Sequence, residues 1–133
     1  MNGMEARFKK VLLIDDNEID NFINERMISA SNFSAEIIVK NSTDDSLSYL
    51  QSLTISSEFP QVIFLDLNMP GKDGFSFLNE FESLNEDLKA NCKIIVLSSS
   101  ISPEDINKAS TNKFVYKYVN KPLSEKYLNA IDF

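Results

Sequence analysis

Histidine and tryptophan are absent from this chain of 133 residues, and cysteine occurs once. Without histidine there is no imidazole to activate a nucleophile, to shuttle protons or to bind a metal, which excludes Ser-His-Asp catalysis and the common imidazole metal sites. The single Cys92 has no intrachain partner, so a disulfide framework is excluded and a reducing compartment is the simpler assumption. Any metal that this chain binds must therefore be held by oxygen ligands.

Basic residues are scarce relative to acidic ones. Thirteen Lys and Arg stand against twenty Asp and Glu, and the resulting formal net charge of -7 repels nucleic acid phosphates and anionic membranes. The apolar run at residues 11–14 is too short for a signal-peptide core or a membrane span. We therefore expect a cytoplasmic protein that binds neither nucleic acid nor membranes and is a monomer or weak dimer.

Length and composition predict one globular domain. Hydrophobic residues make up 43% and charged residues 25% of the 133 positions, which is typical of a chain that folds around a single core. We expect this domain to span residues 1–133, with its core at residues 9–131 and no output domain attached.

Short apolar runs alternate with stretches of helical spacing. Continuous runs rich in β-branched residues are typical of strands that are covered on both faces of a parallel sheet. Ile19, Phe22, Ile23 and Met27 follow the three- and four-residue spacing of a helix. Five strands and five helices in alternation predict an α/β domain with a doubly wound, flavodoxin-like parallel sheet in the order 2-1-3-4-5. The five runs are residues 11–14, 37–39, 62–65, 94–97 and 114–119.

Polar side chains follow the apolar runs, at the point where each strand is predicted to end. In such a sheet the functional crevice lies beyond the carboxyl ends of the strands, so these groups should converge. Three clustered carboxylates repel one another, and a fold keeps them together where a cation occupies the cluster. Oxygen ligands indicate Mg²⁺, with Mn²⁺ as an alternative ion. The groups are Asp15 and Asp16 after the first run, Asp66 after the third, residues 98–100 after the fourth and residues 120–122 after the fifth.

Four of these segments together resemble the signature blocks of the response regulator receiver family. They read IDDN at residues 14–17, FLDLNMPGKDG at 64–74, VLSSS at 96–100 and YVNKP at 118–122. Their order and spacing match the family over nearly the whole chain, which is far more specific than any single block. The chain resembles a stand-alone receiver of the chemotaxis-regulator type.

The resemblance implies a phosphoryl acceptor and a metal site. Asp66 would accept a phosphoryl group from a histidine kinase or a histidine phosphotransfer protein. Asp16 would bind Mg²⁺ directly, Asp15 through water, and Asn68 through its backbone carbonyl. The chain would then catalyse only its own phosphorylation and dephosphorylation, which makes it a signalling switch of a two-component system or phosphorelay and not an enzyme with a separate substrate.

The resemblance also implies how the switch works. Lys121 would pair with the phosphorylated side chain, and the peptide bond before Pro122 would be cis. The hydroxyl of Ser98 would turn toward the phosphoryl group, and Tyr118 would move inward with it, although Tyr116 is close enough in sequence to be confused with Tyr118. Phosphorylation would then alter the binding of a downstream target protein at the face formed by the fourth helix, the fifth strand and the fifth helix.

Two further positions are implied to set the lifetime of the phosphorylated state. Asn68 lies two residues after the acceptor, and Ser100 lies two residues after the hydroxyl of Ser98. Both are small and polar, so we expect them to leave the hydrolytic water access and to hold it loosely. In the same loop, we expect Gly74 to adopt a positive φ.

Two other functions fit parts of the pattern. Asp66 at a strand end could be the nucleophile of a haloacid-dehalogenase-like phosphatase, but that family needs an aspartate two residues later as general acid, where this chain has Asn68. A receiver-like module could instead bind a partner without being phosphorylated. The full set of polar residues argues against this second alternative: Asp15, Asp16, Asp66, Ser98 and Lys121.

Overall fold

The computed structural model of the chain describes residues 6–99, 102–131 and 133. These ranges contain five β-strands, six α-helices and one 3-10 turn. In chain order they are β1 (Phe8–Ile14), α1 (Glu18–Ala30), β2 (Ser34–Lys40), α2 (Thr43–Gln51), the 3-10 turn Ser56–Glu58, β3 (Val62–Asp66), α3 (Gly74–Phe81), α4 (Glu86–Lys89), β4 (Lys93–Ser98), α5 (Pro103–Ser110), β5 (Val115–Asn120) and α6 (Glu125–Ala130).

The strands form one parallel sheet in the order β2-β1-β3-β4-β5, which confirms the predicted doubly wound fold. The prediction of five helices was one short, because the single-turn helix α4 lies between α3 and β4. The predicted fourth and fifth helices are therefore α5 and α6. Among the described helices, none combines the length and the apolar character that a membrane span requires.

The sheet separates two apolar cores because successive side chains of a strand point to opposite faces. On β1, Leu12 and Ile14 belong to the core that packs against α2, α3 and α5. Val11 and Leu13 belong to the core that packs against α1 and α6. The central strands are thus covered on both sides, which explains their continuous apolar sequence.

Side-chain caps determine where the helices begin. The Oδ1 atom of Asn17 accepts a hydrogen bond from the N–H of Asp20 at 3.0 Å, so α1 begins immediately after the polar end of β1. Ser42, Ser102 and Ser124 cap α2, α5 and α6 in the same way. Each cap satisfies a backbone donor that the first turn of a helix leaves unpaired. These caps therefore fix where four of the helices begin.

The two glycines after β3 have different roles. Gly71 adopts the positive φ of 73°, so the expectation of a positive φ at Gly74 was wrong. Gly74 is the first residue of α3, and a Cβ atom there would lie 2.7 Å from the backbone oxygen of Asp66 and 2.7 Å from Cα of Leu67. Gly74 is required because α3 packs directly on the end of β3, and a side chain would push the two segments apart.

Candidate functional site

Three aspartates converge at the carboxyl edge of the sheet, as predicted. Asp15 follows β1 directly, Asp16 comes next, and Asp66 is the last residue of the neighbouring β3. One carboxylate oxygen from each lies within 4.8 Å of the others. Asp15 and Asp66 are only 2% and 4% exposed, whereas Asp16 is exposed. The cluster therefore has two buried carboxylates and one carboxylate open to solvent.

The donor set of this cluster fits a hard divalent cation. Its ligand atoms are carboxylate oxygens, which Mg²⁺ and Mn²⁺ accept readily. Two buried carboxylates side by side are unfavourable unless a positive charge lies between or beside them. The predicted ligands Asp15, Asp16 and Asp66 are thus placed where one ion can contact all three. The role of the Asn68 carbonyl as a further ligand stays a prediction.

Burial and charge both act on the predicted phosphoryl acceptor. Desolvation, followed by the charge of Asp15, raises the pKa of Asp66 from 3.8 to about 6. The positive charge of Lys121 and the N–H of Asn68 oppose this rise. Without these two groups the carboxylate form of Asp66 would be still less favourable. The Asp66 carboxylate is therefore ionised at neutral pH but lies in an environment that disfavours its charge.

Lys121 supplies the positive charge opposite this cluster. Its Nζ atom lies 2.5 Å from Oδ2 of Asp15, 2.9 Å from Oδ2 of Asp20 and 3.5 Å from Oδ1 of Asp66. Burial lowers the pKa of Lys121, but its hydrogen bonds to Asp15 and Asp20 and the charge of Asp66 outweigh this and raise the pKa above its ordinary value. The Lys121–Pro122 peptide bond is cis, as the resemblance implies.

Ser98, at the end of β4, is connected to both sides of the site. Its side chain is fully buried, and its Oγ atom accepts a hydrogen bond from Nδ2 of Asn68 at 3.0 Å. Its carbonyl accepts a hydrogen bond from the N–H of Lys121 at 3.1 Å. The residue predicted to carry the switching hydroxyl therefore contacts the loop after Asp66 and the loop that carries Lys121. Ser100, the other predicted lifetime position, lies outside the described residues.

The two tyrosines of β5 are distinguished by a β-bulge. Ile94 pairs with Val115 and Ile95 pairs with Lys117, so Tyr116 is the extra residue between them. Tyr118 is half-buried and packs against the core that contains α3 and α5. Tyr116 instead contacts Phe133, with ring centroids 4.5 Å apart. Tyr118 is thus the aromatic residue on the side of the sheet that holds α5, and its role in switching stays a prediction.

Three polar residues of α1 that the sequence analysis did not identify support the site. Nδ2 of Asn21 donates to the carbonyl of Asp15 at 2.7 Å, and Oδ1 of Asn24 accepts from the N–H of Leu123 at 3.2 Å. Asp20 contacts Lys121 directly. The sequence contained only a weak indication of this role. Asp20 and Asn24 lie four and eight residues after Asp16, a spacing that places them on one face of a helix.

Comparisons with known proteins agree with this geometry. The family model described as the response regulator receiver domain matches residues 11–131. Among curated proteins, the chain is similar to the response regulator Rcp1 of Synechocystis sp., with 31% identity over 122 residues, which are 90% of this chain and 81% of Rcp1.

Solved structures show the same fold. A two-component response regulator from Cytophaga hutchinsonii superposes with a TM-score of 0.85 and 34% identity, over 94% of this chain and 93% of that chain. The Mn(2+)-bound form of Rcp1 superposes with a TM-score of 0.72 and 30% identity, over 90% of this chain and 86% of that chain.

Proposed function

This chain belongs to the response regulator receiver domain family of two-component signalling proteins, and from that premise we propose that Asp66 is its phosphoryl acceptor. The donor is a phosphohistidine of a histidine kinase or of a histidine phosphotransfer protein. One observation carries this proposal: Asp66 shares a three-aspartate cluster within 4.8 Å and has the Lys121 ammonium 3.5 Å from its Oδ1 atom. A nucleophile, a cation site and a fixed positive charge thus meet at one point.

In the transfer step, a carboxylate oxygen of Asp66 attacks phosphorus and the P–N bond to the donor imidazole breaks. The released imidazole nitrogen carries the electron pair of that bond and is protonated. Such a reaction depends mainly on positioning and on neutralising the charge of the equatorial phosphoryl oxygens. Lys121 is placed to neutralise one of them, because its Nζ already lies beside Asp66.

Asp15, Asp16 and Asp66, together with the backbone carbonyl of Asn68, are the residues that would hold Mg²⁺. The Mn(2+)-bound form of the similar protein Rcp1 supports a divalent ion at this site, with Mn²⁺ as an alternative. When bound, the ion supplies positive charge to the phosphoryl oxygens. The protein's part is to keep two ligands buried and one exposed, which leaves room for the phosphoryl donor to approach.

We further propose that phosphorylation acts on the face formed by α5, β5 and α6, where a downstream target protein binds. Ser98 and Tyr118 connect the acceptor to this face: Ser98 Oγ lies beside Asn68, and Tyr118 pairs with Val96 across β4 and β5. A small movement of a hydroxyl in a tightly packed region can bias a two-state element. The domain, with its core at residues 9–131, acts as a cytoplasmic switch that catalyses only its own phosphorylation and dephosphorylation.

The function can be tested with a small phosphoryl donor and intact mass spectrometry. In acetyl phosphate and Mg²⁺, the wild-type chain should gain one phosphoryl mass, and Asp66→Asn should gain none. The matched control is Asp87→Asn, which removes an exposed aspartate of α4, near the opposite end of the sheet, and should retain the gain.

The same experiment separates the alternatives. Release of many phosphates per chain with no stable mass gain would indicate a phosphatase. Failure of the wild-type chain to be phosphorylated by any small donor or by a phosphorylated histidine phosphotransfer protein would favour a module that binds without phosphorylation.

A further inference from the structure

Among the described residues, Lys121 has three carboxylate partners, and one of them stands apart from the candidate metal cluster. Asp15 and Asp66 both belong to that cluster. Asp20 does not, yet its Oδ2 atom lies 2.9 Å from Nζ of Lys121, closer than the 3.5 Å to Asp66. Asp20 is therefore the partner of Lys121 whose charge would not be shared with a cation bound in that cluster.

This difference matters when the cluster holds a divalent ion. Carboxylates that bind such an ion attract a neighbouring ammonium less, because the ion compensates their charge and repels the ammonium. An ammonium also has three N–H donors and needs acceptors for them when it is buried. The Lys121 side chain is 12% exposed, so water replaces a lost acceptor poorly.

We propose that Asp20 is a positioning residue that keeps the Lys121 ammonium directed at Asp66 while Asp15 and Asp66 bind a divalent cation. The proposal rests on the proposed magnesium-dependent phosphorylation of Asp66. The proposal adds a residue of α1 to the residues that support phosphorylation. Asp20 would hold the Lys121 ammonium, which Asp15 holds less strongly when Asp15 binds the cation.

The local structure of α1 supports this role over simple helix capping. The N-cap is Asn17, whose Oδ1 accepts from the N–H of Asp20, and the N–H of Asn17 donates to Oδ1 of Asp15. The Asp20 carboxylate is thus not the N-cap acceptor and points to Lys121. An acid in the first turn also favours a helix through the helix dipole, but that effect requires no contact with a lysine.

The direct test is NMR of the lysine ammonium groups of the full chain in Mg²⁺. A buried, ion-paired ammonium exchanges protons slowly with water, so the Lys121 signal should be visible, and it is assigned by its loss in Lys121→Met. We expect the signal to persist in Mg²⁺ for the wild-type chain and to vanish in Asp20→Asn. Asp20→Glu, which keeps the charge, should restore it at least in part.

Glu18→Gln is the matched control, because it removes one negative charge from the same first turn of α1 without touching the observed partners of Lys121. It should keep the ammonium signal. At saturating Mg²⁺, the rate of phosphorylation by acetyl phosphate should fall by about tenfold in Asp20→Asn, as expected for a mispositioned catalytic group, and by much less in Glu18→Gln.

Persistence of the Lys121 signal in Asp20→Asn with Mg²⁺ bound would overturn the proposal. So would collapse of the wild-type signal on addition of Mg²⁺, a result that needs no variant and remains informative if Asp20→Asn fails to fold. If the wild-type chain is never phosphorylated, the proposed function is wrong, whereas the ammonium signal still decides whether Asp20 holds Lys121.

Discussion

Burial of Asp66, the proposed acceptor, should make the metal-free protein less stable at neutral pH than its own Asp66→Asn variant. The pKa of Asp66 rises from 3.8 to about 6, chiefly through burial. At about 1.4 kcal/mol for each pKa unit, this elevation costs the folded state up to about 3 kcal/mol once the group is ionised. Asparagine has nearly the same shape and carries no charge, so the substitution removes this cost.

The sign of the pH dependence follows from the same values. Well below the ordinary pKa of 3.8, Asp66 is protonated in the folded and unfolded states alike, and the variant gains nothing from losing the charge. As the pH rises through 4 to 6, the unfolded chain ionises first, and the wild-type protein loses stability. Above pH 6 the difference is complete, and Asp66→Asn should be more stable by about 1–3 kcal/mol.

Urea denaturation in EDTA at pH 7.5 and at pH 4 measures this difference. In a thermal scan it should appear as a rise of about 4 °C in Tm for each kcal/mol in a chain of this size. Asp87→Asn controls for loss of an aspartate as such. The reasoning is refuted if Asp66→Asn is no more stable than wild type at pH 7.5, or if its advantage is as large at pH 4. Saturating Mg²⁺ should then stabilise the wild type more than the variant, because the ion binds the folded state.

Three further predictions concern the residues around the acceptor. Asp16→Ala should weaken Mg²⁺ binding and abolish phosphorylation; equal affinities in isothermal titration would contradict the metal assignment. Gly74→Ala should lower the free energy of unfolding, measured by urea denaturation, by about 1–3 kcal/mol and should slow phosphorylation, because the new Cβ would lie 2.7 Å from the Asp66 backbone oxygen. An unchanged free energy of unfolding and an unchanged phosphorylation rate would show that this contact can relax. Asn68→Ala should change the decay rate of phosphorylated protein several-fold while leaving Mg²⁺ affinity intact, and an unchanged decay rate would show that this side chain does not reach the hydrolytic water.

The strands and the aspartate cluster could be predicted from the sequence because both follow from local rules. A strand covered on both faces has a continuous apolar sequence, and parallel strands bring their carboxyl ends to one edge. Asp15 and Asp66 directly continue two such strands, so their proximity requires only the correct strand order. The structure confirms that order.

The orientation of α1 was not predictable from the same kind of pattern. Its apolar residues have helical spacing, but Ile19, Phe22 and Ile23 are 71%, 59% and 44% exposed. The buried residues of α1 are Ile28 and the polar Asn21 and Asn24. Nδ2 of Asn21 donates a hydrogen bond to the carbonyl of Asp15, and Oδ1 of Asn24 accepts one from the N–H of Leu123. Periodicity identifies the helix, but hydrogen bonds to residues outside α1 also contribute to which side faces inward.

Two other details depend on single-residue irregularities. The bulge at Tyr116 shifts the register of β5 against β4, so strict alternation along β5 does not place Tyr116 and Tyr118 correctly. Gly71 adopts the positive φ that its turn requires, whereas Gly74 lacks a side chain so that α3 can lie close to the end of β3. Sequence position alone does not distinguish these two uses of glycine.

The position of Lys121 shows why the remaining chemistry requires atomic distances. The family resemblance predicts a lysine directly after β5. The proposed role of Lys121 depends on which carboxylates accept hydrogen bonds from its three N–H groups, and one of these acceptors, Asp15, lies 106 residues away in the sequence. The ammonium is nearer to Asp15 and Asp20, at 2.5 and 2.9 Å, than to Asp66, at 3.5 Å. A phosphoryl group on Asp66 carries more negative charge than the carboxylate that it replaces, so it should draw the lysine away from α1. If Asp66 is phosphorylated as proposed, the contact of Lys121 with Asp20 of α1 should weaken and its contact with Asp66 at the end of β3 should strengthen, which would give the proposed switch an electrostatic origin.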